Sequence, residues 1–319
     1  MKPFSTSLIL LFCILIVIAC SKDNSTPSNA PSLQWNWTSV NTGLTAPIAS
    51  YFLTPNLGFV ASSGSSIQKT TNGGATWTLQ HSSSGATILS MFFIDANTGF
   101  ASGTSEAILA TTNGGSTWTE RHGGGTNNLW SVRFPSPTIG YAIGNSVAGV
   151  ILKTTDAGLT WTSMSTGSSV SPVDGDFVND SVGVVVGDMI LRTTNGGSAW
   201  MSQNSPTGEL VTSVRLLDVN IGFASDHSGK MLRTMDGGAT WTVLSTGLTS
   251  ALRMIAIVGA KTVYAVGDGG VILKTTDSGA TWAQESSGTT ELLNGVWFPD
   301  STTGYISGFS GTLLKGEYK

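Results

Sequence analysis

The octapeptide Thr70-Thr71-Asn72-Gly73-Gly74-Ala75-Thr76-Trp77 returns in five variants further along the chain. The later copies end at Trp118, Trp161, Trp200, Trp241 and Trp282, at spacings of 41, 43, 39, 41 and 41 residues. Each part of the unit has a mechanical reason. The Asx residue (Asn72, Asn113, Asp156, Asn195, Asp236, Asp277) accepts backbone N–H bonds a few residues on and so builds a turn. The second residue after it is Gly in all six copies, which suggests a backbone with positive φ. The Trp then opens the next strand. The unit is a hairpin signal repeated six times.

Outward from the octapeptide the rest of each period also repeats. An apolar strand precedes a turn and a Gly-aromatic strand, as in Ser90–Gly103, Ser131–Gly144, Ser213–Asp226 and Gly295–Gly308. A third strand follows, such as Val150–Thr155 or Val271–Thr276. Four strands in a period near forty make a propeller blade. We name them A to D from the channel outward. Strand A–B pairs start near Ile48, Ile88, Leu129, Val170, Leu210, Leu252 and Leu292, which makes seven blades. The last blade stops after Leu313-Leu314-Lys315 without a D strand. Its replacement stands at the other end of the chain. Trp37–Thr45 (WTSVNTGLT) matches Trp241–Thr249 (WTVLSTGLT), and Trp37 precedes Trp77 by 40 residues. The predicted fold is therefore all-β. It is a seven-bladed β-propeller of four-stranded antiparallel blades over 33–319, closed by Leu33–Val40 completing the last blade. Closure removes an open sheet edge.

The totals fit this reading. The 319 residues include forty Gly and ten Trp, only 11% are charged, and the net charge is −4. The weak acidity argues against a nucleic-acid partner, which needs a basic face. Both cysteines, Cys13 and Cys20, fall in the first twenty residues. The body therefore has no disulfide to lean on, and packing and ring closure must hold it.

The N-terminus reads as an address. Lys2 precedes an apolar run from Leu8 to Ala19, which has the length of a signal-peptide core and is short for a membrane span. Val17-Ile18-Ala19-Cys20 resembles the lipobox of bacterial lipoproteins. The resemblance implies removal of residues 1–19, lipidation of Cys20 and no other membrane contact. An ordinary signal with a chance Cys is the alternative. Residues 20–32 are polar and Pro-containing, and they read as a flexible tether. Ser21-Lys22-Asp23 points to the outer membrane, facing the periplasm or the cell surface.

The octapeptides resemble the Asp-box, or bacterial neuraminidase repeat. The fuller pattern of Gly-aromatic strand, Ile-Leu-Lys-Thr-Thr and Asx-Gly-Gly-x-Thr-Trp resembles the photosystem II stability/assembly factor-like propellers, over roughly 33 to 316. That resemblance implies a scaffold that holds a protein partner. The role in photosystem assembly is not carried over, because the lipoprotein signal gives no sign of photosynthesis. Fold likeness alone does not assign function.

Catalytic sets are hard to find. Sialidases share the Asp-box and need three Arg, a Tyr–Glu pair and an Asp acid, and glycosidases in general need two facing carboxyls. Arg192 and Arg233 occupy the strand C place held elsewhere by Lys153 and Lys274, so they read as structural. Tyr141, Tyr264 and Tyr305 replace Phe100 and Phe223 in strand B and read as core. His81 and His122 take equivalent places on outer strands of adjacent blades, with His227 in a third. Outer strands diverge by roughly 15 Å and Zn–N bonds are about 2 Å, so these histidines share no ion. No metal, no cofactor and no catalytic residue is expected.

What remains is the channel and one face. One strand A position varies between blades: Tyr51, Phe92, Arg133, Asp176, Arg215, Ala256 and Trp297. Asp176, between Arg133 and Arg215 in blade order, is expected either to bridge them in a buried ion network or to join them in holding a ligand. By analogy with other propellers, the end carrying the D–A and B–C connections is taken as the working face. Trp130, Arg253 and Arg121 stand there, since exposed aromatics and Arg are the common hot spots. The partner-binding set is thus Trp130, Arg133, Arg215, Arg253, Trp297, Arg121 and Asp176. The leading expectation is a monomeric, noncatalytic scaffold for an envelope or surface protein. A carbohydrate-binding or glycan-processing surface protein is the alternative.

Overall fold

The computed structural model describes residues 35–318, apart from 44–46, 63–64, 83–84, 146–148 and 167–169. The signal segment, Cys20 and the tether lie outside the described residues. Among the described residues no helix is long and apolar enough to cross a membrane.

Seven four-stranded antiparallel sheets form the ring. The A strands are Pro47–Phe52, Ile88–Phe93, Asn128–Arg133, Pro172–Phe177, Val211–Leu216, Leu252–Gly259 and Leu293–Trp297, in blades 1 to 7. In six blades the D strand begins one residue after the octapeptide Trp, from Thr78–Ser82 in blade 1 to Ala283–Glu285 in blade 6. Blade 7 takes its D strand from Trp35–Ser39, which pairs antiparallel with Leu313–Tyr318 in the register Trp37↔Gly316. The closing strand is therefore the N-terminal one, as its match to the other Trp strands predicts.

The hairpin owes its shape to two side chains, of which the sequence pattern identified one. Asn72 Oδ1 accepts the Thr76 N–H at 2.9 Å. The buried Thr70 hydroxyl donates to Asn72 Oδ1 at 3.0 Å and accepts the Gly74 N–H at 2.9 Å. The same bonds recur around Thr111, Thr154, Thr193, Thr234 and Thr275. At Gly115 φ is +76°, and a Cβ would run into the Phe59 ring of the preceding blade. Glycine is needed there both for the left-handed backbone and for the close approach.

Blades are stapled to one another through these hairpins. Strand C cations reach the box of the next blade: Lys69 Nζ donates to Gly114 O at 2.7 Å, Lys153 Nζ to Gly196 O at 2.7 Å and Arg192 Nε to Gly237 O at 2.9 Å. Arg233 instead lies over the Phe223 ring at 5.9 Å. Tyr141 stacks on Phe177 of the next blade at 3.7 Å, and Tyr305 on Phe52 at 3.4 Å. Three of these interfaces thus add a cationic clip at the Asp-box end to an apolar layer.

Box carboxylates are acid-sensitive parts of this frame. Asp156 is held at about 2, first by the Thr160 hydroxyl and then by the Thr160 N–H. Thr281 does the same for Asp277, also at about 2. A carboxyl whose folded pKa is depressed stabilises the fold fully above its unfolded value of about 4. That contribution is lost as pH falls toward 2. Asn fills this place in blades 1, 2 and 4. The double variant Asp156→Asn, Asp277→Asn should therefore fold normally at pH 7. Its melting temperature should fall less steeply than the parent's below pH 4. Parallel pH–melting curves would contradict this account.

Candidate functional site

The channel is built by one register shared by all seven blades. Tyr51, Phe92, Arg133, Asp176, Arg215, Ala256 and Trp297 each pair with the strand B aromatic or its equivalent, from Tyr51↔Phe59 to Trp297↔Tyr305. They form one layer across the axis. On one side of the ring this layer is aromatic. Tyr51 and Trp297 stand 4.3 Å apart between centroids, and Tyr51 and Phe92 5.9 Å. The Trp297 indole N–H already donates to the Phe52 carbonyl.

On the other side the layer is ionic, and here the structure corrects the sequence reading. The carboxylate that bridges the two arginines is Asp174, not Asp176. Asp174 Oδ2 meets Arg215 Nη1 at 2.7 Å and Oδ1 meets Arg133 Nη2 at 3.5 Å. Asp174 Oδ2 also accepts from the Ser213 hydroxyl at 2.9 Å and the Val214 N–H at 3.2 Å. Asp176 Oδ2 accepts the Leu216 N–H at 2.8 Å. Burial pushes the Asp174 carboxyl up, but Arg215 and Arg133 outweigh it and hold it below the usual range. For Asp176 burial wins over the same two arginines and raises it. Burial, then the like charge of Arg215, lowers Arg133.

The sequence signal for Asp174 was present and unused. It lies two residues before Asp176, so the period of two puts both on one face. Its equivalents are Ala49, Ser90, Ser131, Ser213, Met254 and Gly295, by register. Several of these small polar groups accept a neighbouring blade's backbone. Ser90 takes the Val132 N–H at 3.4 Å and Ser213 the Ile255 N–H at 3.3 Å.

A bulge in every A strand decides what the mouth at the D–A and B–C end presents. The register skips one residue in each blade, among them Trp130 and Arg253. A bulge re-aims the extra side chain. Trp130 is 42% exposed, and its indole lies 3.4 Å from the Asn145 amide oxygen. Arg253 is already occupied by a bidentate pair with Asp268, at 2.7 and 2.9 Å. Arg121 is exposed on the strand D Thr119–His122, three strands out from the channel, so it does not join the others. The seven expected residues therefore divide. Arg133, Asp176, Arg215 and Trp297 meet on the axis, Trp130 and Arg253 flank one mouth, and Arg121 lies on the perimeter.

Two cavities touch the axial layer. The smaller, about 50 Å³, lies toward the D–A and B–C end, between Ser90, Met254, Asn294 and the two arginines. The larger, about 210 Å³, lies toward the A–B turns. Its floor is Arg133, Asp176 and Arg215, and its walls include Phe92, Leu216, Ile257, Trp297 and Phe298. Two residues beyond the layer each blade places an apolar, half-buried residue. These are Leu53, Ile94 and Pro135, then Val178, Leu217, Val258 and Pro299. Six of the seven lie past the end of strand A, in the A–B turn, so they ring this mouth as a collar; Leu53, Ile94 and Val258 also pack against the blade cores. Among the described residues no group of three or more His, Cys, Asp or Glu is arranged to hold a metal ion.

Residues 81–170 and 164–283 match the family model of the photosynthesis system II assembly factor YCF48. The chain belongs to this family. No curated protein matches it by sequence. A structure of YCF48 bound to D1 peptide superposes with a TM-score of 0.74 at 22% identity, covering 92% of this chain and 99% of that one. YCF48 from Cyanidioschyzon merolae gives 0.71 at 16% identity, over 88% and 98%. Virginiamycin B lyase from Staphylococcus aureus gives 0.73 at 12% identity, over 90% and 100%. The last pairing shows that the ring is shared by YCF48 proteins and by an enzyme, so the fold alone does not choose between them.

Proposed function

We propose that this chain is a noncatalytic, peptide-binding assembly factor of the cell envelope, anchored through a lipid on Cys20. It docks its partner at the axial mouth on the Asp-box side. The observation that carries this is the 210 Å³ cavity, with an ionic floor and an apolar wall, under a collar that is apolar in all seven blades. A protein segment buries an apolar side chain in such a place and keeps its backbone at the rim. Family membership supports it, as does the YCF48 structure that carries a D1 peptide. At the opposite end the axial cavity is smaller, about 50 Å³, Arg253 is already paired, and the larger hollow of about 590 Å³ beside Gly270 and Ser287 is lined mainly by B–C and D–A connections and not by the axial layer. Both axial carboxylates are engaged by guanidinium or backbone N–H groups, which supports a binding role over glycoside hydrolysis.

Crosslinking capture from intact cells tests the docking site. Leu217→Asp and Val258→Asp should each cut partner recovery per folded molecule by more than tenfold. Trp130→Ala and Arg253→Ala should leave it near the parent level. The reverse pattern would place the partner at the other mouth, and hydrolysis of a glycan that an Asp174 or Asp176 substitution abolishes would replace the binding reading. For the anchor, Cys20→Ser should release the protein or trap its precursor. A variant processed and retained like the parent would refute lipidation.

A further inference from the structure

We propose that the segment docked at the Asp-box mouth is cationic, with an apolar centre flanked by Lys or Arg side chains; this rests on the docking reading above. The two guanidinium groups at the floor of the cavity are already paired within the layer, with Asp174. Two guanidinium groups, Arg133 and Arg215, face two carboxylates, Asp174 and Asp176, so the layer is balanced in formal charge. What a peptide meets first is the rim, and the rim is acidic. Asp95, Asp218 and Asp300 stand in the A–B turns of blades 2, 5 and 7, and Asp180 stands in that of blade 4. The three box aspartates lie at the same end. Lys261 is the exposed cation of the A–B turns. Of the strand C cations, Lys69, Lys153 and Arg192 bond box carbonyls inside the blade interfaces, Lys274 and Lys315 pair with Glu285 and Glu317, and Arg233 lies over the Phe223 ring.

These rim charges are fixed in place. Asp95 Oδ1 accepts the N–H groups of Asn97 and Thr98, both at 2.7 Å. Asp218 Oδ1 accepts those of Asn220 and Ile221, both at 2.8 Å. The Asn97 and Thr98 bonds hold Asp95 below the usual carboxylate range, and the Ile221 and Asn220 bonds do so for Asp218. These two carboxylates therefore stay ionised at neutral pH. Apolar collar and acidic rim together fit one chemistry. A Leu or Phe side chain enters the cavity, and cations on either side of it reach the aspartates. Like charges across such a rim cost affinity, and opposite charges speed encounter.

The turn in blade 4 supplies a clean test. Asn179 Oδ1 makes the same two bonds there, to Ser181 and Val182 at 2.9 and 2.8 Å. Asp→Asn in the other turns therefore removes charge and keeps the cap. The experiment uses the full-length protein and fluorescence anisotropy with three end-blocked peptides. All share one Leu-Phe-Leu centre, flanked by lysines, glutamates or serines. The Lys peptide should bind about tenfold tighter than the Glu peptide at low salt, and the gap should narrow at high salt. The triple variant Asp95→Asn, Asp218→Asn, Asp300→Asn should bring the Lys peptide close to the Ser peptide. Glu209→Gln with Glu291→Gln, at the other end, should change nothing. Equal or tighter binding of the Glu peptide, lost in Leu217→Asp, overturns the charge selection and leaves the docking site standing. Binding by none of the three overturns both.

Discussion

Deleting Trp35–Val40 is expected to lower stability by more than about 5 kcal/mol and to cause aggregation. The segment supplies a five-residue ladder to the last blade, continued by the Val40 N–H to Leu313 O at 2.7 Å. Its two indoles do most of the packing. Trp35 and Trp37 stack at 5.4 Å, and Trp35 meets Phe298 edge-on at 5.3 Å. The Trp37 N–H donates to Glu285 of blade 6 at 2.8 Å, so the strand also ties the last blade to the one before it. Without it, Leu313–Tyr318 becomes an open edge beside an exposed aromatic cluster. Trp37→Ala alone should cost about 3–5 kcal/mol. Denaturant midpoints and size-exclusion profiles read both variants. A deletion with the parent's midpoint and elution profile would mean that the ring does not depend on this strand.

Asp174→Asn should destabilise the ring by about 3–5 kcal/mol, the usual cost of stranding buried charges. It leaves Arg215 and Arg133 facing each other. It also weakens the acceptor for the Ser213 hydroxyl and Val214 N–H. Asp176→Asn should cost far less, because an amide oxygen still accepts the Leu216 N–H. The pH dependence separates the two further. The folded pKa of Asp174 lies below the ordinary value, so its contribution is complete above about pH 4 and is lost on acidification. The steepest acid loss should therefore vanish in Asp174→Asn and persist in Asp176→Asn. A larger cost for Asp176→Asn would return the centre of the network to Asp176.

That pair of variants marks where reading the chain stopped. The two arginines and one aspartate of the axial layer were legible, because a fixed repeat shows which strand A position escapes the blade pattern. The bridging carboxylate was not singled out. Its equivalents are Ser, Ala, Met and Gly, which look like ordinary small strand residues until the blades face one another. The threonine that closes each hairpin was missed for a different reason. Thr70 looks like strand filler, and only the turn geometry brings its hydroxyl to the Asx side chain and the Gly74 N–H. Arg121 carried the composition of a hot spot but stands on the outermost strand.

By itself the sequence determined the number of blades, the four-strand order and the closing strand, because these depend on period, local turn chemistry and one matching Trp segment. Such features are local, and a turn or an alternating strand carries its own signal. The tertiary structure alone decided which carboxylate meets the arginines, what the bulges present and which mouth holds the larger cavity. Those depend on distances between strands about forty residues apart, set by blade packing and a one-residue shift in each A strand. No local pattern encodes such distances, so they appear only when the ring closes.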